Sequence, residues 1–326
     1  MTIRVPRRST IALATAGALA STGTAYLGAR NLLVGQATHA RTVIPKSWDI
    51  PPRADGVYSP GGGPVERWQR GMPVDLHLMI FGDSTATGYG CMSAEEVPGV
   101  LIARGLAERT GKRIRLSTKA IVGATSKGVS GQVDAMFVAG PPPDAAVMML
   151  GANDVTALNG ISQSARRLGA AVRKLRARGA VVIVGTCPDL GVISAIPQPL
   201  RSLAHSRGLQ LARAQAGAVR AAGGVPVPMA QLLARELRSK RELMFSADGF
   251  HPSPAAYALA AQQLLGVLCD ALGEKVDSPP VEPPSPSRAS TQVLDTGHTR
   301  LSVMSRLWRG PVPDLPAQSN PPVASD

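Results

Sequence analysis

Apolar positions recur along the chain in two alternating patterns. Short runs rich in Val, Ile, Leu and Met occupy residues 74–81, 113–122, 145–150, 180–184 and 225–228. The first four stop at Gly82, Gly123, Gly151 and Gly185. Longer stretches with helical spacing lie between and after them, at 95–109, 161–178, 199–222 and 254–272. Gly111, Gly179 and the Gly223-Gly224 pair follow the first three, as expected of residues that close helices in a left-handed conformation. Continuous apolar strands, each followed by a helix, predict a parallel sheet covered on both faces. Pro226 and Pro228 assign the last strand to an edge. In such sheets ligands bind outside the carboxyl ends of the strands.

The flanks differ from this core. Residues 74–272 make one domain of ordinary size. Before it, 41–73 carry Pro45, Pro51, Pro52 and the Pro60 to Pro64 cluster, which reads as a linker or extended strap. After it, 273–326 begin with the Pro-rich stretch SPPVEPPSPS and read as a largely disordered tail, within which 299–309 could form a short amphipathic helix. At the other end, Arg4, Arg7 and Arg8 precede an uncharged segment from Ser9 to Ala29. Residues 1–40 are therefore expected to be an export signal, cleaved near Ala18-Leu19-Ala20 or Thr38-His39-Ala40, or a retained membrane anchor. Arg7-Arg8 adds a weak twin-arginine hint, and the absence of a nearby cysteine excludes a lipoprotein anchor. Either reading puts the domain outside the cytoplasm, in the cell envelope or secreted.

Composition narrows the function classes. Hydrophobic residues make 44% of the chain and charged residues 17%, which excludes wholesale disorder. Three cysteines exclude a disulfide-stapled scaffold and a zinc framework of paired cysteines. An aromatic content of 3% argues against a base-stacking platform, and no nucleic-acid motif is present. The net charge is +13, and it is concentrated: between Val155 and Arg235 there are eleven Lys or Arg and a single acid, Asp189. This stretch is either a solvated basic helix face or a contact for an anionic membrane or cell-wall polymer. No HExxH, EF-hand or P-loop pattern occurs, so neither a metal nor a nucleotide cofactor is expected. A monomer is expected.

The ends of the strands carry the candidate chemistry. The first run ends in Gly82-Asp83-Ser84-Thr85, the second in Val122-Gly123-Ala124-Thr125, and the third in Gly151-Ala152-Asn153-Asp154. Far downstream, Asp248-Gly249-Phe250-His251-Pro252 precedes the last helix. A parallel sheet brings these segments to one edge. There they supply a serine nucleophile, amide donors for an oxyanion, and a His base with an Asp to orient it. Asp248 lies three residues before His251, and a turn through Gly249 can fold the carboxylate onto the ring. Pro252 keeps His251 out of the helical region, leaving Ser253 and Pro254 as N-cap and first helical residue.

These four blocks resemble the SGNH hydrolases, also called GDSL esterases and lipases, over residues 74–272. Phe81-Gly82-Asp83-Ser84 matches the first block and implies Ser84 as nucleophile. Gly123 matches the second block's glycine, although Lys119 or Ala120 stands where that block usually begins with asparagine. Gly151 to Asp154 match the third block, with Asn153 as oxyanion donor, and Asp248 to Pro252 match the last. The resemblance implies a three-layer α/β/α sandwich around a flavodoxin-like, five-stranded parallel sheet, and more narrowly an exported actinobacterial esterase. It implies catalysis by Ser84, His251 and Asp248, with the oxyanion held by the N–H of Ser84 and Gly123 and the side chain of Asn153. The substrate would be a small ester or an acylated envelope component. Alternatives are an O-acetyl esterase or acyltransferase acting on envelope carbohydrate, and a non-catalytic envelope-binding protein.

Other residues have smaller expected roles. Asp83 and Asp154 are expected to hold the loops around the site, and Thr85 to cap the following helix. His77 and His205 are expected to be structural. His39 and His298 lie in the flanks. Cys91 is close enough in sequence to Ser84 to approach it, Cys187 follows the fourth strand, and Cys269 is expected inside the last helix; they are expected to be buried thiols, with one disulfide as the alternative.

Overall fold

A computed structural model describes residues 28, 31–33, 35, 36, 51, 52 and 54–274. The expected export segment, the cleavage candidates, His39, the tail with 299–309 and His298 lie outside the described residues.

Six strands form one sheet: β1 (Gly56–Tyr58), β2 (Leu76–Gly82), β3 (Ile114–Thr118), β4 (Ala145–Met149), β5 (Val181–Gly185) and β6 (Val225–Val227). Their order across the sheet is β1-β3-β2-β4-β5-β6. From β2 to β6 every pairing is parallel, and β6 is an edge, as its prolines require. Among these five, the second strand in the chain lies outside the first and the third lies on its other side. This is a doubly wound order with its reversal between β2 and β4, where such sheets open a crevice. Six helices carry the layers and the site: α1 (Ser84–Thr87), α2 (Pro98–Thr110), α3 (Ser126–Ala139), α4 (Ile161–Arg176), α5 (Leu200–Ala221) and α6 (Pro254–Leu272).

Strand alternation divides the core in two. Leu78 and Ile80 of β2, Val147 of β4 and Ile183 of β5 pack with α2 and α6. Met79, Phe81, Met148 and Val184 point the other way, against α3 and α4. All seven residues of β2 are buried, which explains its nearly continuous apolar run. The exception, His77, hydrogen-bonds through Nε2 to Ser117 Oγ at 2.9 Å. Burial, followed by the neighbouring Arg115 charge, lowers its pKa to about 4, so the ring is neutral at pH 7. Helix α6 is apolar enough to cross a membrane by composition, but Tyr257, Leu264 and Leu268 are buried in the core of the domain.

Two expectations need correction. The segment 41–73 is not only a linker: Gly56–Tyr58 pairs antiparallel with β3, and Tyr58 is buried, its hydroxyl donating to the Ala54 carbonyl at 2.5 Å. The sheet is therefore six-stranded and mixed, with the five expected parallel strands inside it. The second strand is also shorter than 113–122. Beyond Thr118 the chain turns and enters α3, a helix that the sequence pattern does not signal. Its apolar stripe, Val129, Val133 and Met136, is interleaved with Gly128, Gly131 and the buried Gln132.

Candidate active site

Gly82 has φ +140°, and a Cβ there would lie 2.0 Å from the Met149 carbonyl oxygen. Only glycine lets β2 pass so close to β4 before turning. Asp83 then takes an extended conformation and caps α1, its Oδ1 accepting from Thr85 N–H at 2.9 Å. Asp83, not Thr85, is the cap. Ser84 follows as the first residue of α1 and is 8% exposed. Its backbone N–H and its hydroxyl donate to no partner among the described residues. The turn is clamped from below by Gln132, whose side chain accepts from Gly82 N–H at 3.0 Å and donates to the Gly82 carbonyl at 2.8 Å.

The β3 and β4 ends meet this turn. Gly123 has φ +79°, lies exposed, and its N–H is likewise uncommitted among the described residues. Asn153 Nδ2 donates to the Ala124 carbonyl at 3.1 Å and to Asp83 Oδ2 at 3.4 Å, joining three of the predicted blocks through one amide. Asp154 is almost fully buried and accepts four hydrogen bonds: from Ser126 N–H and hydroxyl at 2.7 and 2.8 Å, from Asn159 at 2.9 Å and from the Ser164 hydroxyl at 2.7 Å. It ties the starts of α3 and α4 to the Gly151 turn. Both aspartates therefore hold loops.

Asp248 and His251 form a closed loop. Asp248 Oδ2 meets His251 Nδ1 at 2.6 Å, while Oδ1 accepts from the N–H groups of Phe250 and His251, each at 2.9 Å. Gly249, at φ +62°, makes this reversal. Burial pushes the Asp248 carboxyl up, but the His251 ring and the two N–H donors outweigh it and hold it below the ordinary carboxylate range. An ionised carboxylate only accepts, so Nδ1 carries the hydrogen, and in the neutral ring the lone pair is on Nε2. The His251 ring, 7% exposed as a residue, lies against Tyr89 with centroids 4.2 Å apart and planes tilted by 45°, and meets Phe250 edge-on at 5.0 Å. Tyr89 sits five residues after Ser84. Its N–H donates to the Ser84 carbonyl at 3.0 Å and its carbonyl accepts from the Tyr257 hydroxyl at 2.9 Å. Tyr89 thus joins the histidine loop to the serine turn. Ser253 accepts from Ala256 N–H and caps α6, as expected.

Sequence reasoning missed Gln132, Tyr89 and Tyr257. Gln132 lay in an unrecognised helix, and a lone tyrosine carries no spacing signal. Cys91, Cys187 and Cys269 are free and buried. Cys91 Sγ donates to the Glu96 carbonyl at 3.4 Å, and burial pushes its thiol up to about 12, so it is not a nucleophile at neutral pH. His205 pairs with Asp189, which also binds Arg238.

The profile of the GDSL-like lipase/acylhydrolase family matches residues 80–259. A GDSL-like esterase of Mycobacterium tuberculosis, Rv1075c, is 77% identical over 305 residues, covering 94% of this chain and 96% of that protein. Among solved structures, TesA superposes with a TM-score of 0.50 at 22% identity, covering 60% of this chain and 99% of TesA. A lipase/acylhydrolase from Enterococcus faecalis superposes at 0.49 with 20% identity, covering 63% and 100%. The chain belongs to the GDSL-like lipase/acylhydrolase family and is an ester hydrolase.

Proposed function

We propose that the protein is a serine esterase working through an acyl-enzyme. His251 Nε2 takes the Ser84 hydroxyl proton as Oγ bonds to the ester carbonyl carbon. The tetrahedral oxyanion is bound by the N–H groups of Ser84 and Gly123 and by Asn153 Nδ2, which turns one hydrogen from Ala124 to the substrate. Collapse breaks the bond to the leaving alcohol, which receives the proton from His251. Water then repeats the sequence and frees the acid. Asp248 holds the imidazole tautomer and stabilises the imidazolium. The observation that carries this reading is the ionised Asp248 bonded to His251 Nδ1, with the ring packed against Tyr89 beside the Ser84 turn. No hydrogen bond joins Ser84 Oγ to His251 among the described residues; catalytic hydrogen bonds commonly tighten only when substrate binds.

The test is hydrolysis of p-nitrophenyl acetate, butyrate, octanoate and palmitate by the protein and by Ser84→Ala. Activity lost in the variant supports the mechanism; equal rates in both contradict it. The positive residues before the uncharged segment 9–29 support export, with the domain outside the cytoplasm. Protection of the domain from protease in intact cells and its loss on permeabilisation would contradict that placement.

A further inference from the structure

A cavity of about 790 Å³ opens between the end of β3 and the segment leading into β1. This falls within the range of about 300–1,000 Å³ common for small-molecule sites. One wall is Thr87, whose hydroxyl donates to the Ser84 carbonyl at 2.9 Å. Thr87 lies one helical turn along α1 from Ser84, a rise of about 5 Å. Another wall is Lys119, whose backbone N–H donates to the Ile80 carbonyl at 2.8 Å and which precedes Gly123 by four residues. The cavity's lining thus connects to the candidate nucleophile through Thr87, and along the chain to the candidate oxyanion turn through Lys119.

Its charge is one-sided. Arg67, Arg115 and Lys119 line it against a single carboxylate, Asp55. One oxygen of Asp55 already accepts from Thr118 N–H at 2.8 Å. Among the described residues, none of the three cations has an ion-pair partner, whereas Arg104, Arg113 and Arg238 are each paired with an acid. Arg115 is held in place: its guanidinium carbon lies 3.4 Å from the centre of the Trp68 ring. Stacking fixes the plane of a guanidinium while leaving its N–H edge to donate.

We infer that this cavity receives an anionic group, a carboxylate or phosphate, carried by the ester substrate, with Arg115 and Lys119 as the residues that select it. A guanidinium fork matches either oxyanion in a bidentate manner, and an ammonium adds a point charge. The inference rests on the serine-esterase reading above and adds to it the class of ester. The charge resides either in the acyl part or in the alcohol part of the substrate.

Two matched pairs of probes separate these. The acyl pair is mono-p-nitrophenyl glutarate and p-nitrophenyl valerate. The alcohol pair is 3-carboxyphenyl acetate and its methyl ester. The quantity read is the ratio of kcat/KM for the charged member to that for the neutral one, in the wild type, Arg115→Gln, Lys119→Gln and Ser84→Ala. Intrinsic reactivity cancels when ratios are compared between proteins, and so does any loss of folded fraction. In one pair the ratio is expected to fall about tenfold or more in Arg115→Gln and in the same direction in Lys119→Gln. The wild-type ratio is expected to shrink as salt rises from about 0.05 to about 0.5 M. Ratios within about twofold of the wild type for both variants, in both pairs, would overturn the anionic pocket while leaving the esterase intact. Hydrolysis that survives in Ser84→Ala would instead overturn the serine mechanism on which the inference rests.

Discussion

Asp248 and Asp83 both lie in the field of His251, and their surroundings drive them in opposite directions. Burial would raise Asp248, but hydrogen bonds from the His251 ring and from two N–H groups hold it low. Burial raises Asp83 to about 6, only partly offset by Thr85, Gly151 and the His251 charge. The linkage signs differ accordingly. Asp248 has a lowered folded pKa, so its stabilisation is complete above its unfolded pKa and is lost as pH falls through the folded value. Asp83 has a raised folded pKa, so its ionised form weakens the fold above about pH 6, and that penalty fades as pH falls toward 4. Asp83→Asn is therefore expected to gain on the order of 1–3 kcal/mol relative to wild type on going from pH 5 to pH 7.5. Urea unfolding at both pH values checks this; a difference independent of pH would contradict it. Asp248→Asn keeps the size of the side chain but loses the charge that fixes the tautomer. It is expected to lower kcat by about 10³ to 10⁴ with little change in KM, as steady-state kinetics on p-nitrophenyl butyrate would register. The Asp-x-x-His spacing was legible because both roles lie in one loop, whereas the Tyr89 platform is a contact between distant segments.

At the scale of elements, the glycine-closed helices and the proline-bearing edge strand were legible because each is fixed by local backbone chemistry. Gly111, Gly179 and Gly223 all take left-handed conformations at helix ends. What escaped were β1 and α3. Three residues of strand inside a Pro- and Gly-rich segment carry no periodicity, and β1 exists because β3 offers it an edge. Helix α3 carries two glycines with low intrinsic propensity and forms because its stripe packs on β2 and β4. Gln132, within that stripe, bonds both the N–H and the carbonyl of Gly82. Gln132→Leu would bury the Gly82 N–H unpaired and leave its carbonyl with the Ile121 N–H, at 3.1 Å, alone. A loss of about 1–3 kcal/mol is expected in chemical denaturation, with a lower kcat in the folded protein because the serine turn loses its clamp. An unchanged midpoint would show that the clamp contributes nothing.

Across the whole molecule, the strand order assembles a site from segments far apart in the chain. The reversal between β2 and β4 opens the crevice, and Ser84 and Asn153 leave the two strands that flank it. Parallel pairing could be read from the alternation of strands and helices, and the doubly wound order was implied by the family resemblance, but the added edge strand could not be read from either. Tyr58 anchors this edge: it is buried, with Arg104 over its ring at 5.2 Å. Tyr58→Ala is expected to cost about 3–5 kcal/mol. Because Ala54, Asp55 and Gly56 line the cavity, it is also expected to reduce turnover of esters that reach into it. Thermal unfolding alongside kinetics checks both effects, and a stable, fully active variant would show that the strand is dispensable.

The central claim is that one serine, activated through His251, carries the acyl group. Its most direct test is mass spectrometry of the protein after exposure to a fluorophosphonate, with wild type, Ser84→Ala and His251→Ala compared. The account expects one phosphonyl adduct on the peptide containing Ser84, absent in Ser84→Ala and formed much more slowly in His251→Ala. Labelling of another residue, or full ester hydrolysis by a protein that takes no label, would contradict it.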